Sequence, residues 1–418
     1  MIPLIPFAEV TRRTAWLRGT LLLATLLGLL ASAPVWLNTH TFPLLPIVSD
    51  FPILPVPFDK ILFLSLLVAL VLAAWFHRAA VIYFLIASLF AYCEDQNRGQ
   101  PWLYMYWVML LLTLLPERHI YAAATSGKLL PHECGVPGGT AFAACRWALA
   151  VIYLWSGIQK CNARFFEKTP GWFVSPATNW HLPTFAMDAL RWAAASAPVL
   201  EIAIAIALWF SLSRRPALVA IIVMHLFAIL FLGPLGHNYN WVVWPWNLAM
   251  IALACTLFAA PAKAKSAKPL LAETFAALRR SRPALAILIP FTLLPALSYV
   301  GKWDSAFSFV LYSESNANAN IFVTQRFADQ LPPKLRAYVA PFPQYDPQFQ
   351  GPFLFNFAPW GYEELHVPPI SEPRSFRSVF NALRPYAREP EDLRMIVGER
   401  GGRVMFYQGD TSWPLQTK

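Results

Sequence analysis

The sequence predicts an all-α polytopic membrane bundle of about nine transmembrane helices, followed by a small α+β extracytoplasmic domain. Three observations predict it. Of 418 residues, 57% are hydrophobic and only 13% charged, with a mean hydropathy of +0.45; soluble domains carry about 25% charge. Apolar runs long enough to approach the ~20 residues of a spanning helix recur through the first 301 positions. Beyond position 302 the composition becomes that of an ordinary soluble domain.

The apolar runs fall at 15–37, 60–77, 79–94, 101–116, 140–161, 184–212, 216–235, 241–261 and 283–301. The first has the look of a secretory signal, with Arg12, Arg13 and Arg18 before a leucine-rich core and Ala31-Ser32-Ala33 after it. Pro34 disfavours cleavage there, so the segment reads as an uncleaved anchor. Basic residues set the orientation. With the N-terminus inside, Arg12, Arg13, Arg18, Arg78, Arg118, Lys128, Arg214, Arg215, Lys263, Lys265, Lys268, Arg279, Arg280 and Arg282 are all cytoplasmic, and an odd number of spans puts the C-terminus outside. The expected location is the bacterial inner membrane. The net charge of +10 is then largely a topology signal, scattered over loops, which argues against a nucleic-acid partner.

The membrane domain is expected over 1–301, with 262–282 as a basic linker before the last span, and the outer domain over 302–418. In the latter, Ser308–Tyr312 and Asn320–Thr324 read as strands, and Pro332–Val339 and Ser375–Tyr386 as short helices. Leu393–Val397 and Val404–Tyr407 flank Glu399-Arg400-Gly401-Gly402, a hairpin signal. Pro341–Pro369, rich in proline and aromatics, reads as surface loop. Of the five cysteines, Cys134, Cys145 and Cys255 lie on the inner side or within spans. Cys93 and Cys161 both lie near outer span ends, where pairing depends on a distance that sequence does not fix. No metal-ligand spacing, Walker or dinucleotide motif is present.

Polar residues at the outer face supply the site candidates. Tyr153, Gly157 and Lys160 recur at i, i+4, i+7 and share a helix face. A lysine at a span end ordinarily snorkels to the head groups; one beside small residues in a dry pocket can serve as a base. Glu94-Asp95-Gln96-Asn97-Arg98 precedes an aromatic stretch holding Trp102 and Tyr106, and reads as a solvated turn plus interfacial belt. His237, Asn238, Trp241 and Trp244 follow a helix interrupted by Gly233-Pro234 and Gly236, and read either as the wall of a flat aromatic ligand or as a plain interfacial loop. Glu201 and His225 lie inside spans and should face the bundle interior, neutral or paired.

The run Tyr153-Leu-Trp-Ser-Gly157-Ile-Gln-Lys160-Cys-Asn162-Ala-Arg-Phe-Phe166 resembles the catalytic-lysine segment of vitamin K-dependent γ-glutamyl carboxylase and its bacterial relatives, the HTTM-domain proteins. Met224-His225-Leu226, Glu201 and the Trp102–Tyr106 stretch resemble looser features of that group. The resemblance implies that Lys160 is a base activating a vitamin K or menaquinone hydroquinone for oxygenation or carboxylation, a lyase-type reaction. Tyr153 and Gly157 would shape the pocket, and the partners would be membrane lipid, a quinone and a secreted or periplasmic peptide or protein. The outer domain is much smaller than the carboxylase's, which favours a second reading: a non-catalytic maturation or assembly factor on an HTTM- or DoxX-like scaffold. A transporter is disfavoured, because the spans carry few paired charges and no inverted repeat.

Overall fold

The computed structural model describes residues 7–48, 50–115, 139–259, 270–341, 353–400, 404–408 and 415–416. Arg118, Lys128, Cys134, Lys263, Lys265 and Lys268 fall outside the described residues.

The chain is mostly helical, with a small antiparallel sheet at its C-terminal end. The first elements are α1 (Phe7–Ala31), α2 (Ala33–Trp36), α3 (Phe58–Leu72), α4 (His77–Glu94) and α5 (Pro101–Thr113). Then come α6 (Gly139–Lys160), α7 (Ala163–Phe173), α8 (Thr184–Ala195), α9 (Ala197–Ala207), α10 (Arg214–Leu232), α11 (Val243–Phe258), α12 (Leu270–Leu278) and α13 (Arg282–Leu293). Among the described residues four helical segments are long and apolar enough to cross a membrane: Arg12–Ala31, Gly139–Lys160, Arg214–Leu232 and Arg282–Val300. The bent pair α8–α9 makes a fifth if counted as one span.

Nine spans are thus not confirmed. The reason is length and end composition. Helices α3, α5 and α11 have 15, 13 and 16 residues, short of the ~20 that a full crossing takes. Helix α4 carries His77, Arg78 and Glu94 at its ends. Helix α6 is the hub of the bundle: it is buried along most of its length, and α5, α9, α12 and α13 all pack on it.

The C-terminal part, called the outer domain after its expected side, contains β1 (Asn318–Val323), α14 (Gln325–Gln330), α15 (Pro333–Arg336), β2 (Val339–Pro341), β3 (Phe353–Phe355), α16 (Phe357–Leu365), α17 (Pro373–Leu383), β4 (Leu393–Gly398), β5 (Val404–Gln408) and β6 (Leu415–Gln416). The sheet order is β2-β3-β1-β4-β5-β6, with every neighbouring pair antiparallel. The expected hairpin is present, with Gly398 opposite Val404. Burial alternates strictly along β4, so one face packs on α17 and the other is partly open.

Three local expectations are corrected. Ser308–Tyr312 is not a strand: a 3₁₀ turn over Ala306–Ser308 leads into Phe309, Tyr312 and Glu314 at φ of 59°, 58° and 56°. Phe309 packs on Phe291 and Tyr104 of the bundle, so membrane-domain contacts replace a strand partner. The stretch read as surface loop holds β3 and α16, its aromatics being core residues such as Phe355 and Trp360. Part of the basic linker is helix, α12. Cys93 and Cys161 are both free thiols.

Candidate functional site

Pro198 starts the site. Proline suits the first turn of a helix, where its missing N–H has no partner to lose, but it cannot continue an incoming helix. The run 184–207 therefore breaks at Ser196 into α8 and α9, bent by 49°. Just past the break, α9 meets α6 at Gly157. A Cβ on Gly157 would lie 2.8 Å from the Pro198 carbonyl oxygen and 3.0 Å from the Ile202 nitrogen. Only a residue without a side chain permits that approach.

The approach sets Lys160 of α6 against Glu201 of α9. Lys160 Nζ donates to Glu201 Oε2 at 2.9 Å and Oε1 at 3.2 Å, to Ser156 Oγ at 2.6 Å and to the Ser156 carbonyl at 3.1 Å. The two side chains are 10% and 12% exposed. All three ammonium protons have acceptors, the geometry of a structural ion pair rather than of a base offered to a substrate.

Two turns earlier on α6 a second polar chain crosses the bundle. Tyr153 Oη lies 2.7 Å from His225 Nε2, and His225 Nδ1 lies 2.6 Å from Asn247 Oδ1. The Asn247 amide is oriented by its Nδ2, which donates to the Val243 carbonyl at 2.6 Å. Its Oδ1 can only accept, so His225 carries a proton on Nδ1; burial within the bundle disfavours a second proton, which leaves Nε2 to accept from the Tyr153 hydroxyl. The imidazole in this chain is neutral. Glu201 and His225 thus both face the interior, each with partners, as expected for ionisable groups in lipid.

Both polar groups line one cavity of about 290 Å³. Its walls are mostly apolar side chains of α6 to α11, and Phe309, Leu311 and Tyr312 bound it from the segment that precedes β1. Of the sequence candidates, Tyr153, Lys160, Glu201 and His225 come together here, with Gly157 as the spacer behind them.

The other candidates do not line this cavity. Trp102 and Tyr106 are buried, packing edge-on at 5.9 Å, and Trp102 presses on Gly28 of α1. His237 stacks on Trp172 at 4.3 Å, donates from Nε2 to the Trp172 carbonyl at 2.9 Å and accepts from Tyr239 Oη at 2.7 Å. Burial lowers its pKa below the ordinary value. Asn238 turns the chain at φ 55°. Trp241 stacks on His366 of the outer domain at 4.0 Å. Trp244 packs against Gly233. The proposed flat-ligand wall is therefore filled by protein: the α7 region and the outer domain occupy it.

Sequence reading missed two features. Asn247, an amide within a span, fixes the histidine tautomer; a polar residue following the Trp-rich start of α11 was its only signal. Glu94 to Arg98 is no solvated turn. Arg98 is 1% exposed. It donates to Glu94 Oε2 at 2.8 Å, Asn38 Oδ1 at 2.8 Å and the carbonyls of Val35 and Ala91 at 3.0 and 2.9 Å. Asn97 accepts from Ile370 N at 3.2 Å, and Arg374 donates to Gln96 at 2.7 Å, so the knot ties the outer domain to the bundle. The end of α6 is tied likewise: Asn162 donates to the Ser313 carbonyl at 2.8 Å, and Arg400 to Ser298 at 2.7 Å and to Gln159.

Residues 139–240 match the family model described as methylamine utilisation protein MauE. That stretch is well under half of the chain, and it spans α6 through α10. No curated protein and no solved structure shows significant similarity to the chain. The match overturns the carboxylase resemblance, because it claims the very segment that carried it, Tyr153 to Phe166, for a different membrane family. The HTTM assignment and the reading of Lys160 as a base in carboxylase chemistry go with it. What stands is a multi-pass membrane protein with several apolar helices.

Proposed function

We propose that the protein is a non-catalytic membrane maturation or assembly factor. One observation carries the reading: the MauE match covers the helices that hold Tyr153, Lys160, Glu201 and His225 and much of the cavity wall, with Asn247 of α11 just beyond it, so the likeness and most of the built site coincide. The closed Lys160–Glu201 pair supports it, since it braces α6 against α9 rather than offering a reactive group. The docked outer domain gives such a factor a rigid surface for an extracytoplasmic client protein. The family description ties the reading to methylamine utilisation. In this proposal the N-terminus is cytoplasmic, the sheet domain lies outside, and the shorter helices complete a bundle of about nine membrane segments.

The test is a chromosomal deletion. The deletion strain should grow poorly on methylamine as sole nitrogen source and lack at least one mature extracytoplasmic protein whose transcript is unchanged. A deletion that leaves both growth and the extracytoplasmic proteome as in the parent defeats the proposal.

A further inference from the structure

We infer that the cavity between α6, α9, α10 and α11 is a binding site for a neutral, largely apolar alcohol. The inference rests on the polar groups lining the cavity and is independent of the maturation role.

The cavity's size, about 290 Å³, is at the small end of ligand pockets. Its charge is balanced, since Lys160 and Glu201 form a pair and His225 is the neutral tautomer. A charged ligand would enter uncompensated, and burying a lone charge is costly. A neutral ligand suits the site.

The hydrogen bonds around Lys160 define the head group. Glu201 accepts from Lys160 through both oxygens, and each oxygen keeps a lone pair to spare. Ser156 Oγ accepts from Lys160 at 2.6 Å and retains its own proton to donate. An open acceptor and an open donor thus flank one ammonium. A hydroxyl satisfies both, donating to Glu201 while accepting from Ser156. An ether or ketone could accept but would leave the carboxylate unanswered. At the other end, Tyr153 gives its proton to His225 and keeps an accepting oxygen, about 10 Å along α6 from the lysine. The wall between is apolar, with Leu200, Met224, Phe227 and Ala228 among its residues, and takes the hydrocarbon body.

The test uses the full chain in lipid nanodiscs with a diazirine-bearing fatty alcohol. Photolabelling should concentrate on residues 152–160 and 193–201. Octanol should halve the labelling at a concentration at least about five-fold lower than octyl methyl ether needs, the affinity difference equivalent to one ~1 kcal/mol hydrogen bond. Ala228→Phe, which puts bulk into the cavity from α10 and leaves Ser156, Lys160 and Glu201 unaltered, should reduce labelling as octanol does. Equal competition by the ether overturns the inference. So does labelling spread evenly over lipid-facing helices. If Ala228→Phe fails to fold, the paired competition on the unaltered protein decides alone.

Discussion

Gly157 and Pro198 stand in contact across two helices, with 2.8 Å between the position of an added Cβ and the proline's carbonyl oxygen. The same proline bends the α8–α9 segment and the same glycine admits the bend, so the two residues together place Glu201 within reach of Lys160.

Gly157→Ala should therefore destabilise the bundle. Alanine is the better helix former by about 1 kcal/mol, but the clash is with backbone, which cannot rotate away. Overpacking of this kind costs about 1–3 kcal/mol, so a net loss is expected. Thermal unfolding in detergent is the measurement, and an unchanged or raised midpoint would show that the contact is looser than described.

Lys160 and Glu201 should behave as a coupled pair. Lys160→Met leaves a buried carboxylate alone and Glu201→Leu a buried ammonium; each should cost about 3–5 kcal/mol. The double variant removes both charges and should be more stable than either single one. Lys160→Arg keeps a cation for Glu201 and should retain growth on methylamine, as a bracing role allows and a proton-accepting role does not. Additive losses in the double variant would mean that the two side chains do not sense each other.

Much of this site was legible in the sequence, and the reasons differ by residue. Tyr153, Gly157 and Lys160 declare a common face by spacing alone. Glu201 and His225 declare an interior position because lipid penalises them elsewhere. Which partner each would take depends on helix crossing: Pro198 marks where the run breaks, but the 49° angle and the approach of α9 to Gly157 are tertiary geometry that no periodicity carries. His237 and Trp241 misled for a similar reason: a Trp- and His-rich outer loop looks the same whether it walls a ligand or receives a neighbouring domain. Glu94 to Arg98 misled because charge density reads as solvation until three segments close over it.

His225 should be observable as the Nδ1-protonated neutral imidazole. With ¹⁵N-labelled histidine in lipid, its Nδ1 should show a directly bound proton and its Nε2 none. Asn247→Leu removes the acceptor and leaves a buried N–H unpaired, at a cost of about 1–3 kcal/mol. A proton found on Nε2 would reverse the direction of the Tyr153 hydrogen bond.

The orientation proposed from Lys and Arg is tested by truncation fusions. Alkaline phosphatase fused after Arg215 should be inactive, and fused after Lys418 active. The opposite pair of results inverts the topology and moves the sheet domain to the cytoplasm.

Acid should weaken the docking of the outer domain through Glu364. This carboxylate of α16 accepts from Thr41 Oγ1 at 2.8 Å, from Phe42 N at 2.9 Å and from Thr41 N, and pairs with Lys334. Burial alone would raise its pKa, but the hydrogen bonds from Lys334, from Thr41 and from the backbone of Phe42 outweigh it and hold it below the usual carboxylate value. A carboxyl depressed in the folded state adds stability that is complete above its unfolded pKa, about 4.3. That stability is lost as pH falls through the lower folded value. Between pH 8 and 5 this contact should thus contribute fully, and it should fade below about pH 4. Glu364→Gln keeps the shape but loses the charge, so it should unfold at a lower temperature than the parent at pH 7. The gap between the two should narrow as pH drops below about 4, where the parent too becomes neutral at this position. A gap that stays constant across the whole range would show that the Glu364 charge does not hold the outer domain in place.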